Sequence, residues 1–185
     1  MAKIADLAPL WDAQLIHSYN IAGPRYTSYP TAPQLSSDFS QSQLLAALQK
    51  SNQSQSPLSL YFHIPFCDTV CYYCACNKII TANKQHAAPY LERLYSEMAM
   101  HSGLASKEDG KPRIVDQLHW GGGTPTFISD SQKRHLMAET RKHFQLLDDD
   151  SGDYSIEVHP GRMDVESIAV LRKLGFNRLS MGVQD

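Results

Sequence analysis

"LSLYFHIPFCDTVCYYCACNK" spans Leu58 to Lys78 and sets an aromatic, apolar run directly against a loop that holds every cysteine of the chain: Cys67, Cys71, Cys74 and Cys76. Residues 58–64 have the character of a buried strand. The order strand, loop, helix then recurs. A helix is predicted near 87–102, with Pro89 suited to its first turn. "VDQLHW" (115–120) reads as a second strand and "GGGTPTF" (121–127) as a loop. The next helix opens at Ser129, with Gln132 at the spacing of a capping box, and runs to about Phe144. "DYSIEVH" (153–159) reads as a third strand, 164–174 as a helix stopped by Gly175, and "RLSMGVQ" (178–184) as a fourth strand.

Three such repeats and a closing strand predict an α/β fold with a parallel sheet and right-handed crossovers. In such sheets functional groups collect at the C-terminal ends of the strands. The cysteines, the glycine loop, Glu157 and Gln184 all fall at such ends. The chain reaches Asp185 directly after the fourth strand, and an uncovered edge strand is a liability. The expectation is that another chain completes the sheet, or that the sequence is a fragment.

Ahead of the strands lies an arm with a short helix, 1–57. Its first part, 1–37, lacks periodicity and includes "GPRYTSYPTAP" (23–33), where Arg25, Tyr26 and Tyr29 can either strap the surface or face a substrate. Residues 38–50 predict an amphipathic helix with Leu44, Leu45 and Leu48 on one side, and 51–57 a linker.

Of 185 residues, 42% are hydrophobic and 19% charged, which fits a folded protein. The net charge of −2 gives no argument for nucleic acid or an anionic membrane as partner. The N-terminus does not read as a secretory signal, and no apolar run approaches the roughly 18 residues of a spanning helix. A cytoplasmic location is expected, where clustered cysteines are metal ligands or redox groups rather than disulfides.

The spacing C-x3-C-x2-C-x-C lacks the distant second pair of a structural zinc site. A dithiol at Cys71 and Cys74 leaves Cys67 and Cys76 unexplained. Iron–sulfur ligation fits better. A [4Fe–4S] cube is large enough for closely spaced thiolates on one loop to reach different irons, so Cys67, Cys71 and Cys74 can take three corners. If Cys76 does not take the fourth, one iron stays open to a ligand.

The C-x3-C-x2-C stretch after a first strand, with an aromatic before the third cysteine, resembles the radical S-adenosylmethionine (SAM) enzymes. The stretches "GPRYTSYPTA" (23–32), "YFHIPFCDTVCYYCACNK" (61–78), "LHWGGGTPT" (118–126), "SIEVHP" (155–160) and "GFNRLSMGVQD" (175–185) together resemble the oxygen-independent coproporphyrinogen III oxidases of that superfamily. The resemblance implies a partial (β/α) barrel of the radical SAM type over 58–185, with only the first four strands present. It implies a [4Fe–4S] cluster on Cys67, Cys71 and Cys74, and two SAM molecules. Tyr61, Gly122 and Glu157 are expected at the first SAM; Tyr73, Gly123, Thr124 and Gln184 at the second. His63 and Cys76 are the candidate catalytic residues, although a strand histidine is equally read as structural.

The implied reaction is oxidative decarboxylation of two propionates of coproporphyrinogen III, each begun by a 5′-deoxyadenosyl radical. A porphyrinogen substrate and a reducing electron donor are the implied partners, with neither nucleic acid nor membrane. A haem-binding branch of the superfamily shares "HIPFC" and "GGGTP" and is the alternative, together with an inactive fragment. His119 and Trp120 are expected in the core or behind the site, and Tyr72 in packing. His159 stands where the family commonly has aspartate, and Tyr73 where phenylalanine is usual.

Overall fold

A computed structural model describes residues 12–21, 30–54, 56–72, 74–105 and 111–182. The chain divides into two compact units, Met1–Ser40 and Gln41–Asp185. In the first, the stretch expected to be irregular contains helix α1, Ala13–Tyr19. A local cap accounts for it: the Asp12 carboxylate accepts from the amides of Gln14 and Leu15, both at 2.9 Å.

The second unit runs α2 (Gln41–Gln53), β1 (Leu58–Ile64), β2 (Phe66–Cys67), β3 (Ile79–Ile80), α3 (Ala87–Leu104), β4 (Ile114–Gly122), α4 (Asp130–His143), β5 (Gln145–Leu146), β6 (Asp153–Val158), α5 (Val165–Leu174) and β7 (Arg178–Met181). Four strands pair in the order β1-β4-β6-β7, all parallel, and β5 joins the start of β4. This is the predicted α/β arrangement of a partial barrel, with each crossover helix between consecutive long strands. The capping box at α4 is present, with Ser129 Oγ accepting from the Gln132 amide and the Gln132 side chain accepting from the Ser129 amide. Gly175 ends α5 at φ 107°, a left-handed conformation that favours glycine.

Three boundaries differ from expectation. β4 continues through Gly121 and Gly122 because β1 pairs with both, His63 opposite Gly121 and Ile64 opposite Gly122. β7 ends at Met181. Helix α2 continues into the expected linker and buries none of its leucines. Polar anchors hold its end: Asn52 Nδ2 donates to Leu104 O at 2.7 Å, and Arg113 Nη1 donates to Ser51 Oγ at 2.9 Å.

Arg113 is itself buried and also donates from Nε and Nη2 to Ser56 O at 3.0 and 2.8 Å. Hydrogen bonds from a charged group contribute about 1.5–3 kcal/mol each where the partner is otherwise left unmet. Arg113→Met is therefore expected to destabilise by about 2–3 kcal/mol without altering iron uptake, as read by urea denaturation and metal analysis.

Strand alternation sorts the sheet into two faces. Phe62, Ile64, Leu118, Trp120, Ile156 and Val158 join Leu91, Met98, Leu136 and Leu171 of the helices in one hydrophobic cluster. The intervening residues, Tyr61, His63, His119, Ser155 and Glu157, stand on the opposite face.

Candidate functional site

Register brings that opposite face together. Tyr61 lies across from His119, and His119 across from Ser155. The Tyr61 ring stacks on His119 with centroids 5.6 Å apart. Gly121 makes room for the pair, since a Cβ there would come within 2.9 Å of His119 Nε2 and 3.0 Å of the Tyr61 ring.

His119 and Ser155 form a relay that orients Glu157. Ser155 Oγ lies 2.6 Å from His119 Nδ1, and His119 Nε2 lies 3.3 Å from Glu157 Oε1. A carboxylate accepts, so Nε2 carries the hydrogen and Nδ1 accepts from the serine hydroxyl. The amide of Gly122 donates to Glu157 Oε2 at 3.1 Å. Both carboxylate oxygens are thus held at the end of β6, beside the glycine turn.

The cysteine segment is a closed loop with both ends pinned. β2 and β3 pair in parallel, the Ile79 amide donates to Pro65 O, and the Thr81 amide to Cys67 O, both at 2.8 Å. The glycine turn extends this ladder: the amides of Gly123 and Thr124 donate to Ile64 O and Phe66 O at 2.9 Å. Gly123 lies so close that a Cβ would meet Pro65 O at 2.7 Å, Cys67 Sγ at 2.8 Å and Phe66 O at 2.9 Å. Gly122 adopts φ +122°, and a Cβ there would lie 2.8 Å from Ile64 O. Thr124 Oγ1 donates to Cys67 Sγ at 3.6 Å.

His63 ties the first strand to the loop's far end. Its Nε2 donates to Asn77 O at 2.8 Å, which leaves Nδ1 to accept from Tyr61 Oη at 3.0 Å. Burial first, then the charges of Glu157 and Cys76, raises the Tyr61 phenol and keeps it a donor. Lys78 Nζ donates to Cys74 O at 2.7 Å. Asp68, next to Cys67, is paired with Arg162 at 2.6 Å, which links the loop to the turn Pro160–Arg162 after β6.

Cys67 is buried, Cys71 and Cys74 are half-buried, and Cys76 is exposed. The amide of Cys76 donates to Cys74 Sγ at 3.4 Å. That bond is the largest influence lowering the Cys74 thiol, while hydrogen bonding to Cys74 and burial raise Cys76. Cys67, Cys71 and Cys74 line one cavity of about 280 Å³ with Lys78, Gly123, Thr124, Glu157 and His159; Cys76 does not line it. Among the described residues, no three Cys, His, Asp or Glu side chains converge as they would around a single ion.

Trp120 is fully buried, as expected of a core residue. Tyr72, expected in packing, is instead 98% exposed, in a turn of the cysteine segment rather than on a strand. His159 lines the cavity with a buried Nδ1 that lacks a partner among the described residues. Tyr73, Gln184, Arg25, Tyr26 and Tyr29 lie outside the described residues.

The radical SAM superfamily profile matches residues 61–185. The chain belongs to the radical SAM superfamily. Membership implies a [4Fe–4S] cluster and SAM. Three thiols around one cavity, with a carboxylate held at its wall, fit those groups. The radical SAM chain is 54% identical to the oxygen-independent coproporphyrinogen III oxidase of Pseudomonas aeruginosa, over 95% of its own length and 37% of the relative's. A relative of the same name from Mannheimia haemolytica is 40% identical over 82% of this chain and 97% of the relative. The solved structure of coproporphyrinogen III oxidase from Escherichia coli, described as a radical SAM enzyme, superposes with a TM-score of 0.79 at 44% identity. The match covers 95% of this chain and 37% of that one, so the chain spans somewhat over a third of the Pseudomonas and Escherichia proteins. The resemblance read from the sequence therefore holds over nearly the whole chain.

Proposed function

We propose that this chain is the cofactor-holding N-terminal portion of an oxygen-independent coproporphyrinogen III oxidase, an oxidoreductase of porphyrin biosynthesis. In the proposed reaction two propionates of coproporphyrinogen III lose CO2 and become the vinyl groups of protoporphyrinogen IX, with two SAM consumed. The observation that carries the proposal is the single cavity shared by Cys67, Cys71, Cys74, the glycine turn and Glu157.

In this reading Cys67, Cys71 and Cys74 hold the cluster. Once bound, cluster and SAM supply a one-electron, carbon-radical route to an unactivated propionate carbon. The chain's own residues hold and aim. Glu157, steadied by His119 and the Gly122 amide, accepts from the ammonium or ribose hydroxyls of the first SAM, against the Tyr61 ring. Tyr73, Gly123, Thr124 and Gln184 are assigned to the second SAM, beside the turn whose missing side chains let it pack against the cysteine loop. His63 positions Tyr61 and the loop end, and Cys76 steadies Cys74 through its amide, so both serve turnover without holding iron. Residues 1–57 act as an arm, with Arg25, Tyr26 and Tyr29 assigned to substrate, and 58–185 as the first four strands of the barrel. The electron comes from a separate donor. No helix among the described residues is long and apolar enough to cross a membrane, and a cytoplasmic site of action belongs to the same proposal, with neither membrane nor nucleic acid as partner.

The test is an anaerobic assay of the gene product with SAM, a reductant and coproporphyrinogen III. Release of CO2 with formation of protoporphyrinogen and methionine is expected. Tight retention of haem with no SAM-dependent decarboxylation would favour the haem-binding branch instead.

A further inference from the structure

Lys78 is the cation of the cysteine-lined cavity. Its side chain lines that space together with Cys67, Cys71, Cys74 and Glu157. Its Nζ donates to Cys74 O at 2.7 Å, which fixes where the charge stands. Glu157, the anion on the same wall, is engaged by His119 and the Gly122 amide. Among the described residues no carboxylate is paired with Lys78, and its charge stands at the wall of the space that the thiols line.

Resting on the cluster reading above, we infer that Lys78 is a positioning residue that tunes electron uptake at this site. Reduction transfers one electron from a low-potential one-electron donor to the thiolate-held group, with no bond made or broken and no proton taken up. The site becomes one charge more negative. A fixed positive charge at its wall stabilises that product more than the oxidised form, and net charge and local hydrogen bonds are the protein's means of setting such potentials. Lys78 acts through its charge and through the Cys74 carbonyl, not by ligation.

The experiment is an EPR-monitored redox titration of the anaerobically reconstituted chain and of K78R, K78M and K78Q, using dithionite and mediator dyes, with iron content measured on each. Lys78→Arg is expected to titrate close to the unaltered chain. Lys78→Met, with full iron, is expected to be about tenfold harder to reduce, a fall of about 59 mV for one electron. Lys78→Gln, which keeps an N–H donor but not the charge, should fall with it. Equal midpoints in all four proteins overturn the inference. So does loss of iron from both neutral variants, which would make Lys78 a brace for the loop rather than a tuning charge. Failure of the unaltered chain to take up iron sinks the cluster reading itself, and is told apart by appearing before any substitution is made.

Discussion

The Cys71→Ala chain, reconstituted anaerobically with iron and sulfide, is expected to hold almost no iron, whereas Cys76→Ala keeps most of the roughly four irons of a [4Fe–4S] cluster. The difference follows from position. Cys67, Cys71 and Cys74 line one cavity, and Cys76 lies exposed beside it. Of the two contacts Cys76 makes with Cys74, an alanine retains the backbone amide bond and loses only the thiol's hydrogen bond. Iron and sulfide analysis with the visible spectrum reads the outcome. Equal loss from both variants would reassign the ligands and put Cys76 among them.

Gly123→Ala is the second large effect. Elsewhere a glycine-to-alanine change in unstrained backbone stabilises by about 0.4–1 kcal/mol through the unfolded chain. At Gly123 the new methyl would press on two carbonyl oxygens and on Cys67 Sγ, all within 2.9 Å. Neither carbonyl can turn aside, because Pro65 O accepts from Ile79 and Phe66 O from Thr124. The variant is expected to lose about 1–3 kcal/mol of stability by overpacking and to lose iron as Cys67 is displaced. Gly103→Ala is the control: nothing lies within 4 Å of that Cβ, in the last turn of α3, so a small gain is expected with iron unchanged. Thermal unfolding and iron content measured on the pair decide it. A Gly123→Ala chain that unfolds like the control and binds full iron would contradict the close packing of turn against loop.

The sheet was legible because its signals are local and periodic. Strand 58–64 and the helix start at Ser129 need only neighbouring residues to be recognised, and both stand where the sequence placed them. The joint between the glycine turn and the cysteine loop was not legible. Its ladder from Gly123 and Thr124 to Ile64 and Phe66 depends on backbone atoms far apart in sequence, which leave no side-chain signature. Period-two alternation could have found part of the site, since Tyr61 and His63, His119, and Ser155 and Glu157 all fall on the face opposite the core. His119 was nevertheless read only as a residue in the core or behind the site, because a lone strand histidine carries no sign of its partners. Helix α1 escaped because seven residues hold no full apolar period; its cap at Asp12 was the readable clue.

Lys78 was invisible for a different reason. A lysine after a cysteine loop reads as a solvated charge, and only the fold turns it onto the Cys74 carbonyl. The Asp68–Arg162 pair is similar, joining residues 94 apart in sequence. Such a pair, partly open to solvent, is worth little as stability. Its value lies in register between the loop and the end of β6.

The measurement that bears most directly on the site is the EPR spectrum of the reconstituted, dithionite-reduced chain before and after SAM is added. A reduced [4Fe–4S] signal that shifts with SAM is the predicted result, because three thiolates leave one iron free to take a ligand. Stoichiometric zinc with no iron uptake, or an iron signal indifferent to SAM, would contradict the account.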